Sequence, residues 1–166
     1  QKFVLNSLVR YLLYIITLTT FLFSQPEDGC DLPLNTIGFV PKVGDSIYGQ
    51  VIYNIDPANI LGISSFQFDI NNAEMIFSQE FNSNLPFAGG DAMMYNFNII
   101  YASSSNTVMG FSLIGDIIQI NNGSLCGQLI NIAYENDFSS NSDEVNLTNI
   151  IFANEIGDSI GDVSYY

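Results

Sequence analysis

Phe66-Gln67-Phe68-Asp69-Ile70 alternates large apolar and polar side chains without a break. A period of two places Phe66, Phe68 and Ile70 on one face of an extended strand, with Gln67 and Asp69 on the other. Tyr95–Tyr101 (YNFNIIY) repeats the pattern with Tyr95, Phe97, Ile99 and Tyr101. Val108–Ile114 (VMGFSLI) and Leu125–Tyr134 (LCGQLINIAY) read as two further strands, and the Asn122-Gly123 pair between them is a strong turn signal. Upstream, Asn35–Val40 and Ile47–Ile55 are strand candidates, interrupted by Pro41, Gly44-Asp45 and Asp56-Pro57. Downstream, Leu147–Phe152 and Val163–Tyr166 are joined through Gly157 and Gly161. Pro57–Ile60 reads as a weak helical turn and Ser139–Glu144 as a loop; no segment carries a long helical stripe. The spacing predicts an all-β fold, a jelly-roll-type antiparallel β-sandwich of about eight or nine strands.

The start of the chain has a different texture. Lys2 and Arg10 precede an uncharged apolar run from Tyr11 to Phe23, and a polar stretch beginning Ser24-Gln25-Pro26-Glu27 follows it. A basic start, a short apolar core and a polar exit have the layout of a secretory signal peptide. The run is shorter than the roughly 17–25 residues of a membrane helix. Its β-branched content, including Val4, Val9, Ile15 and Ile16, also suits a retained apolar segment that packs as a strand. The organisation expected is therefore residues 1–24 as signal or retained segment and residues 25–166 as one sandwich domain.

Beyond residue 24, Lys42 is the only cation and all 17 acids of the chain are found there, giving residues 25–166 a net charge of −16. Such a surface repels phosphate backbones and anionic headgroups, which argues against nucleic acid and acidic membranes as partners. The 166-residue chain contains no histidine. That removes the commonest general base, the usual activator of serine and cysteine nucleophiles, and the main imidazole metal ligand. A carboxylate pair of the glycosidase kind is the remaining enzymatic route. With so many acids, a close pair is uninformative, and the chain reads as no enzyme.

Cys30 and Cys126 are the two cysteines. In a secreted chain they read as a disulfide, in cytosol as two buried thiols. Calcium is the metal that suits oxygen ligands, with Glu135/Asp137 and Asp143/Glu144, or Asp158 and Asp162, as the clusters to consider. Neither has the spacing of a calcium-loop motif, so no cofactor is assigned. The aromatic residues are 13 Phe and 9 Tyr with no Trp, and most fall on alternating strand positions that read as core. Tyr48, Tyr53, Tyr101, Tyr165 and Tyr166 are the residues from which a glycan-stacking platform could be built. Asn122-Gly123-Ser124 and Asn146-Leu147-Thr148 are acceptor sequons for N-glycosylation.

Several segments, taken together and in order, resemble the cohesin-like, carbohydrate-module-like β-sandwich of secreted microbial surface proteins. They are Phe66–Ala73 (FQFDINNA), Gly89-Gly90-Asp91-Ala92, Thr107–Gly115 (TVMGFSLIG), Cys126-Gly127-Gln128-Leu129 and Asn149–Tyr166. The resemblance covers roughly residues 45–166. It implies a jelly-roll sandwich, a role in extracellular binding or assembly, and no catalytic site. The function expected is a secreted, non-catalytic binding or adhesion module whose partner is a protein or a glycan. The alternative is a subunit of an extracellular filament, in which neighbouring sandwiches exchange a β-strand head to tail. If residues 1–24 are a signal, the intact mass of the secreted protein corresponds to a chain lacking them; a mass that includes them identifies a retained segment.

Overall fold

In the computed structural model, residues 26–42, 48–76, 86–135 and 144–166 are described. The segment 1–24 therefore lies outside the described residues, as does most of the loop expected at Ser139–Glu144. Twelve strands follow in chain order: β1 (Thr36–Pro41), β2 (Tyr48–Ile55), β3 (Gly62–Ile63), β4 (Ser65–Asn71), β5 (Glu74–Met75), β6 (Phe87–Ala88), β7 (Asn98–Ala102), β8 (Thr107–Phe111), β9 (Ile118–Gln119), β10 (Leu125–Glu135), β11 (Asn146–Ala153) and β12 (Ser164–Tyr165). A short helix α1 (Gly90–Met94) precedes β7, and a 3₁₀ turn at Gly29–Asp31 precedes β1. No helix among the described residues is long and apolar enough to cross a membrane.

Two sheets make the sandwich. One has the order β12-β1-β2-β10-β5, with β6 also on β10; the other has the order β11-β4-β8-β7. β3 and β9 form a separate small ladder. The eight strands read from the sequence are present, and the four others, β3, β5, β6 and β9, span two residues each. Four details differ from expectation, the first that β8 ends at Phe111 and leaves Ser112, Leu113 and Ile114 of the expected strand in a connection. The β1–β12 pair is parallel, with Thr36 opposite Ser164 and Ile37 opposite Tyr165. Tyr95 and Asn96 belong to the exit of α1, so β7 starts only at Asn98. Pro57–Ile60 is a turn, in which the Ile60 N–H donates to the Pro57 carbonyl, and not a helix.

Alternation selects the core. β4 buries Phe66, Phe68 and Ile70 while Gln67 and Asp69 face outward. The Phe66 ring is the centre of an aromatic group, with ring centroids 5.9 Å from Phe68, 6.0 Å from Phe97 and 6.3 Å from Phe152. It lies over Gly110, its cross-strand neighbour on β8, where a Cβ would sit 2.2 Å from the ring. A glycine facing an aromatic ring across a strand pair is what lets the ring lie flat on the sheet. From the opposite sheet come Ile37, Val51, Tyr53, Ile55, Ile130 and Ile132, all buried. Each such side chain contributes about 1.5–3 kcal/mol when removed from water. Among the described residues, all seven non-glycine residues with positive φ are asparagines, including Asn35, Asn59, Asn122 and Asn149. Asn tolerates the left-handed region better than any residue but glycine, so the Asn-rich composition supplies the turns.

Residues 26–35 lie across the outer face of the β1–β2–β10 sheet. Asp28 caps the 3₁₀ turn by accepting from the Cys30 N–H at 3.1 Å. Cys30 is bonded to Cys126 on β10, with Cα atoms 5.0 Å apart. Leu32 is buried against Gly38 and Ile52, and the Asn54 side chain donates to the Leu32 carbonyl at 2.6 Å. Gly29 crosses so close that a Cβ there would lie 2.3 Å from the Gly127 carbonyl oxygen. The disulfide closes a span of 96 residues. Replacing both cysteines by serine is expected to lower unfolding free energy in urea by up to about 4–5 kcal/mol, the chain-entropy value for a loop of this length; an unchanged midpoint would remove the disulfide from the stabilising set.

Candidate functional site: the outer face of the β11–β4–β8–β7 sheet

With residues 26–35 on one outer face, the other sheet keeps an open one among the described residues. Its strand register aligns one residue from each strand into a row. Ile151 on β11 lies opposite Gln67 on β4, Gln67 opposite Met109 on β8, and Met109 opposite Ile100 on β7. All four point away from the core. Ile151 is 48% exposed and Ile100 44% exposed. Phe111, outward and next along β8, widens the apolar strip, and a shallow depression of about 310 Å³ lies between Gln67, Met109, Phe111 and Ile151.

A polar row runs beside the apolar one. Thr148, Asp69, Thr107 and Ala102 occupy the next register positions. Asp69 accepts from the Thr107 hydroxyl at 2.5 Å and from the Asn149 side-chain amide at 2.5 Å, so its carboxylate is held from both sides. Asn149 reaches it because β11 carries a register shift between Thr148 and Ile151, with Asn149 at φ 50°. Asn71 continues the ladder, donating to Asn146 at 3.0 Å and Thr148 at 2.9 Å. Lys42, the only cation among the described residues, sits far along the chain's other sheet beside the Tyr48 ring. The face thus presents an apolar strip flanked by a fixed, uncompensated carboxylate.

The strongly perturbed titrating groups are elsewhere, inside the sandwich. The Tyr53 hydroxyl donates to Asp91 at 2.8 Å. Burial, aided by the Asp91 charge, pushes the Tyr53 phenol far above its ordinary range. Burial also raises the Asp91 carboxyl, against the lowering effect of the Tyr53 hydrogen bond, and the Asp28 charge adds to the rise. Asp91 stands in the first turn of α1, where a carboxylate complements the helix dipole. The pair fastens α1 to β2.

The other residues singled out from the sequence fall in separate places. The five tyrosines form no shared platform: Tyr53 is in the core, Tyr48 is buried at the start of β2, and Tyr101 bonds Asn106 at 2.7 Å. Tyr165 and Tyr166, with Phe39, Val40 and Tyr134, line a cleft of about 250 Å³ beside β1. Asn122 is at the exposed apex of the hairpin closed by Asn121 and Ser124, whereas Asn146 is inside β11 and bonded to Asn71. Asp158 and Asp162 are exposed, and no group of three or more metal-ligating residues occurs among the described residues. Asp137 and Asp143 lie outside the described residues. The sequence did not single out Ile100, Met109, Phe111 or Ile151 as a site; only the register reveals that they adjoin.

The fold and this bare face define an all-β sandwich module. The cohesin-like resemblance is met again among solved structures. One is a non-cellulosomal cohesin from the hyperthermophilic archaeon Archaeoglobus fulgidus, with 18% identity over 78% of this chain and 85% of that one and a TM-score of 0.48. Another is a type I cohesin–dockerin complex from Clostridium thermocellum, with 13% identity over 78% and 85% of the two chains and a TM-score of 0.45. No family model matches the chain, and no curated protein matches it in sequence.

The Asp91 environment generates a pH dependence. Its carboxyl is raised in the folded protein, so the folded state favours the protonated form. The charge costs stability above that raised value, and the cost is relieved as the pH falls toward the unfolded value near 4. Relative to Asp91→Asn, the wild type is therefore expected to gain stability as the pH is lowered from 7 to 4, read from urea midpoints of both proteins; a relative loss over the same interval contradicts the assignment.

Proposed function

We propose that this chain is an extracellular, non-catalytic binding module that docks a protein partner on the outer face of the β11–β4–β8–β7 sheet. The observation that carries the reading is the cross-strand row Ile151–Gln67–Met109–Ile100, left uncovered while residues 26–35 cover the opposite sheet. A flat face with an apolar centre and a polar margin is the anatomy of a protein–protein interface. Asp69, fixed by Thr107 and Asn149 with no cation beside it, calls for a basic side chain in the partner. The net charge of −16 over residues 25–166 favours the same choice at long range. The extracellular setting rests on the Cys30–Cys126 disulfide, which persists in oxidising compartments. The absence of histidine from the sequence supports a non-catalytic role.

A second reading, a filament subunit that accepts a strand from its neighbour, is favoured by one feature. β12 pairs only with Thr36 and Ile37 of the six-residue β1, which leaves the Phe39–Pro41 edge beside the cleft lined by Tyr134, Tyr165 and Tyr166. An extended segment adds to such an edge through backbone hydrogen bonds. A mature protein that stays monomeric at high concentration in electron microscopy and sedimentation sinks this reading.

The docking face is tested by substitution. Met109→Asp and Ile151→Asp place a charge on the exposed apolar row without touching the core. Each is expected to leave thermal unfolding nearly unchanged and to weaken the bound protein partner at least about tenfold, or 1.4 kcal/mol, by calorimetry. A partner that binds both variants as it binds the wild type places the interface elsewhere.

A further inference from the structure

The four-stranded sheet has two ends, and one of them is unusually apolar. Ser65, Phe111, Asn98 and Ala153 are register neighbours, so the connections leaving those four positions emerge together. They are residues 59–64 before β4, residues 112–117 after β8, α1 and its exit turn before β7, and residues 154–160 after β11. Leu61, Met94, Leu113, Ile114 and Ile156 stand on these four connections, and each is between 66% and 75% exposed. Only a minority of the exposed large apolar residues of the described chain lie anywhere else.

These connections are tied to one another. The Leu61 N–H donates to the Glu155 carboxylate at 3.0 Å, joining the first to the last. Gly62 pairs with Gln119 and packs against Ile117 and Ile118, joining the first to the segment that follows β8. The Asn96 side chain donates to Asp116 at 3.0 Å, joining the α1 exit to that same segment. The loop after Ala153 closes on itself, with Asn154 accepting from Ile156 and Asp158 and donating to the Asp158 carbonyl. The result is a platform whose aliphatic tips are held at fixed positions. Single exposed hydrophobics need no explanation, but five of them on four connections tied to one another at one end of a sheet point to an interaction surface.

The charges at this end select the occupant. Asp116, Glu155 and Asp158 stand on the same connections as the aliphatic tips, and backbone N–H groups of Leu61, Glu155 and Gly62 hold the Glu155 carboxyl below its usual value. Lys42, the only described cation, follows Pro41 and bonds to Tyr48 at the opposite end of β1 and β2. Anionic lipid and a second copy of this acidic chain are both disfavoured by charge. We propose that this loop end is a second docking surface, distinct from the sheet face, that takes a cationic amphipathic protein segment: aliphatic side chains against Leu113, Ile114 and Ile156, basic ones against Asp116, Glu155 and Asp158. The proposal does not rest on the sheet-face reading.

The probe is a synthetic amphipathic helix of about 18 residues, long enough to be helical when bound, with Leu on one face and Lys on the other. Its Glu-for-Lys counterpart is the control, and both are titrated by calorimetry into the folded protein. The wild type is expected to bind the Lys peptide and not the Glu peptide. The Leu113→Ser/Ile114→Ser double variant and Ile156→Ser are expected to bind the Lys peptide at least about tenfold more weakly with unchanged thermal unfolding. Ile151→Ser on the sheet face is expected to bind as the wild type does. No binding by the wild type, equal binding of the two peptides, undiminished binding by the loop variants, or a loss confined to Ile151→Ser each overturns it, and the last outcome does so while upholding the sheet face.

Discussion

The Phe66 ring, flat over Gly110 and in contact with Phe68, Phe97 and Phe152, is the contact on which the rest of the molecule depends. It sits where the two sheets meet and fixes which way β4 faces. Because side chains alternate along a strand, a slip of one residue would turn Gln67 and Asp69 inward and expose three large apolar groups. The cost of burying an unpaired carboxylate makes that slip prohibitive. The inward set therefore determines the outward one. Gln67, Met109, Ile100 and Ile151 line up on the surface as a consequence of Phe66, Gly110, Ile99 and Phe152 lining up beneath.

The two outer faces receive different treatment, and the disulfide is the reason. Cys30 is drawn onto Cys126, so Leu32 settles over Ile52 and Gly38, and the Leu32 carbonyl meets Asn54. One outer face thereby becomes interior. Nothing comparable lies on the β11–β4–β8–β7 sheet among the described residues. A sandwich with one covered face and one bare face has a direction, and the bare face is where its free apolar surface is concentrated in strand geometry.

Much of the fold was legible from period-two runs, because they depend on neighbours in sequence. Phe66–Ile70 and the Asn122-Gly123 turn needed only local rules. The Cys30–Cys126 pairing was the reading of two cysteines in a secreted chain, with two buried thiols as the cytosolic alternative, and the structure has the disulfide. What escaped was set by tertiary geometry. Leu147 and Phe152 are both buried although they lie five positions apart, an odd interval that a regular strand cannot place on one face. The shift at Asn149 restores the inward sense of Phe152 and throws Ile151 outward, so a surface residue of the candidate site looked like core. Ile99 was read inward by alternation, which leaves Ile100 outward, as the structure has it. α1 was too short for a helical period. The loop-end cluster was invisible because its members come from four connections spread from Leu61 to Ile156.

Charge and apolar contact divide the work on such surfaces. At −16 over residues 25–166, the field of this chain reaches beyond contact distance and favours cationic partners over anionic ones. That field is blunt: it chooses the sign of a partner and speeds the encounter, and salt screens it within about 8 Å at physiological ionic strength. Residence time depends instead on what happens after encounter, when water leaves the row Ile151–Gln67–Met109–Ile100 or the aliphatic tips of the loop end. Asp69 connects the two effects. Held between Thr107 and Asn149, it cannot swing to follow a misplaced cation, so a partner gains from the charge only if its apolar residues are also in register with the strip.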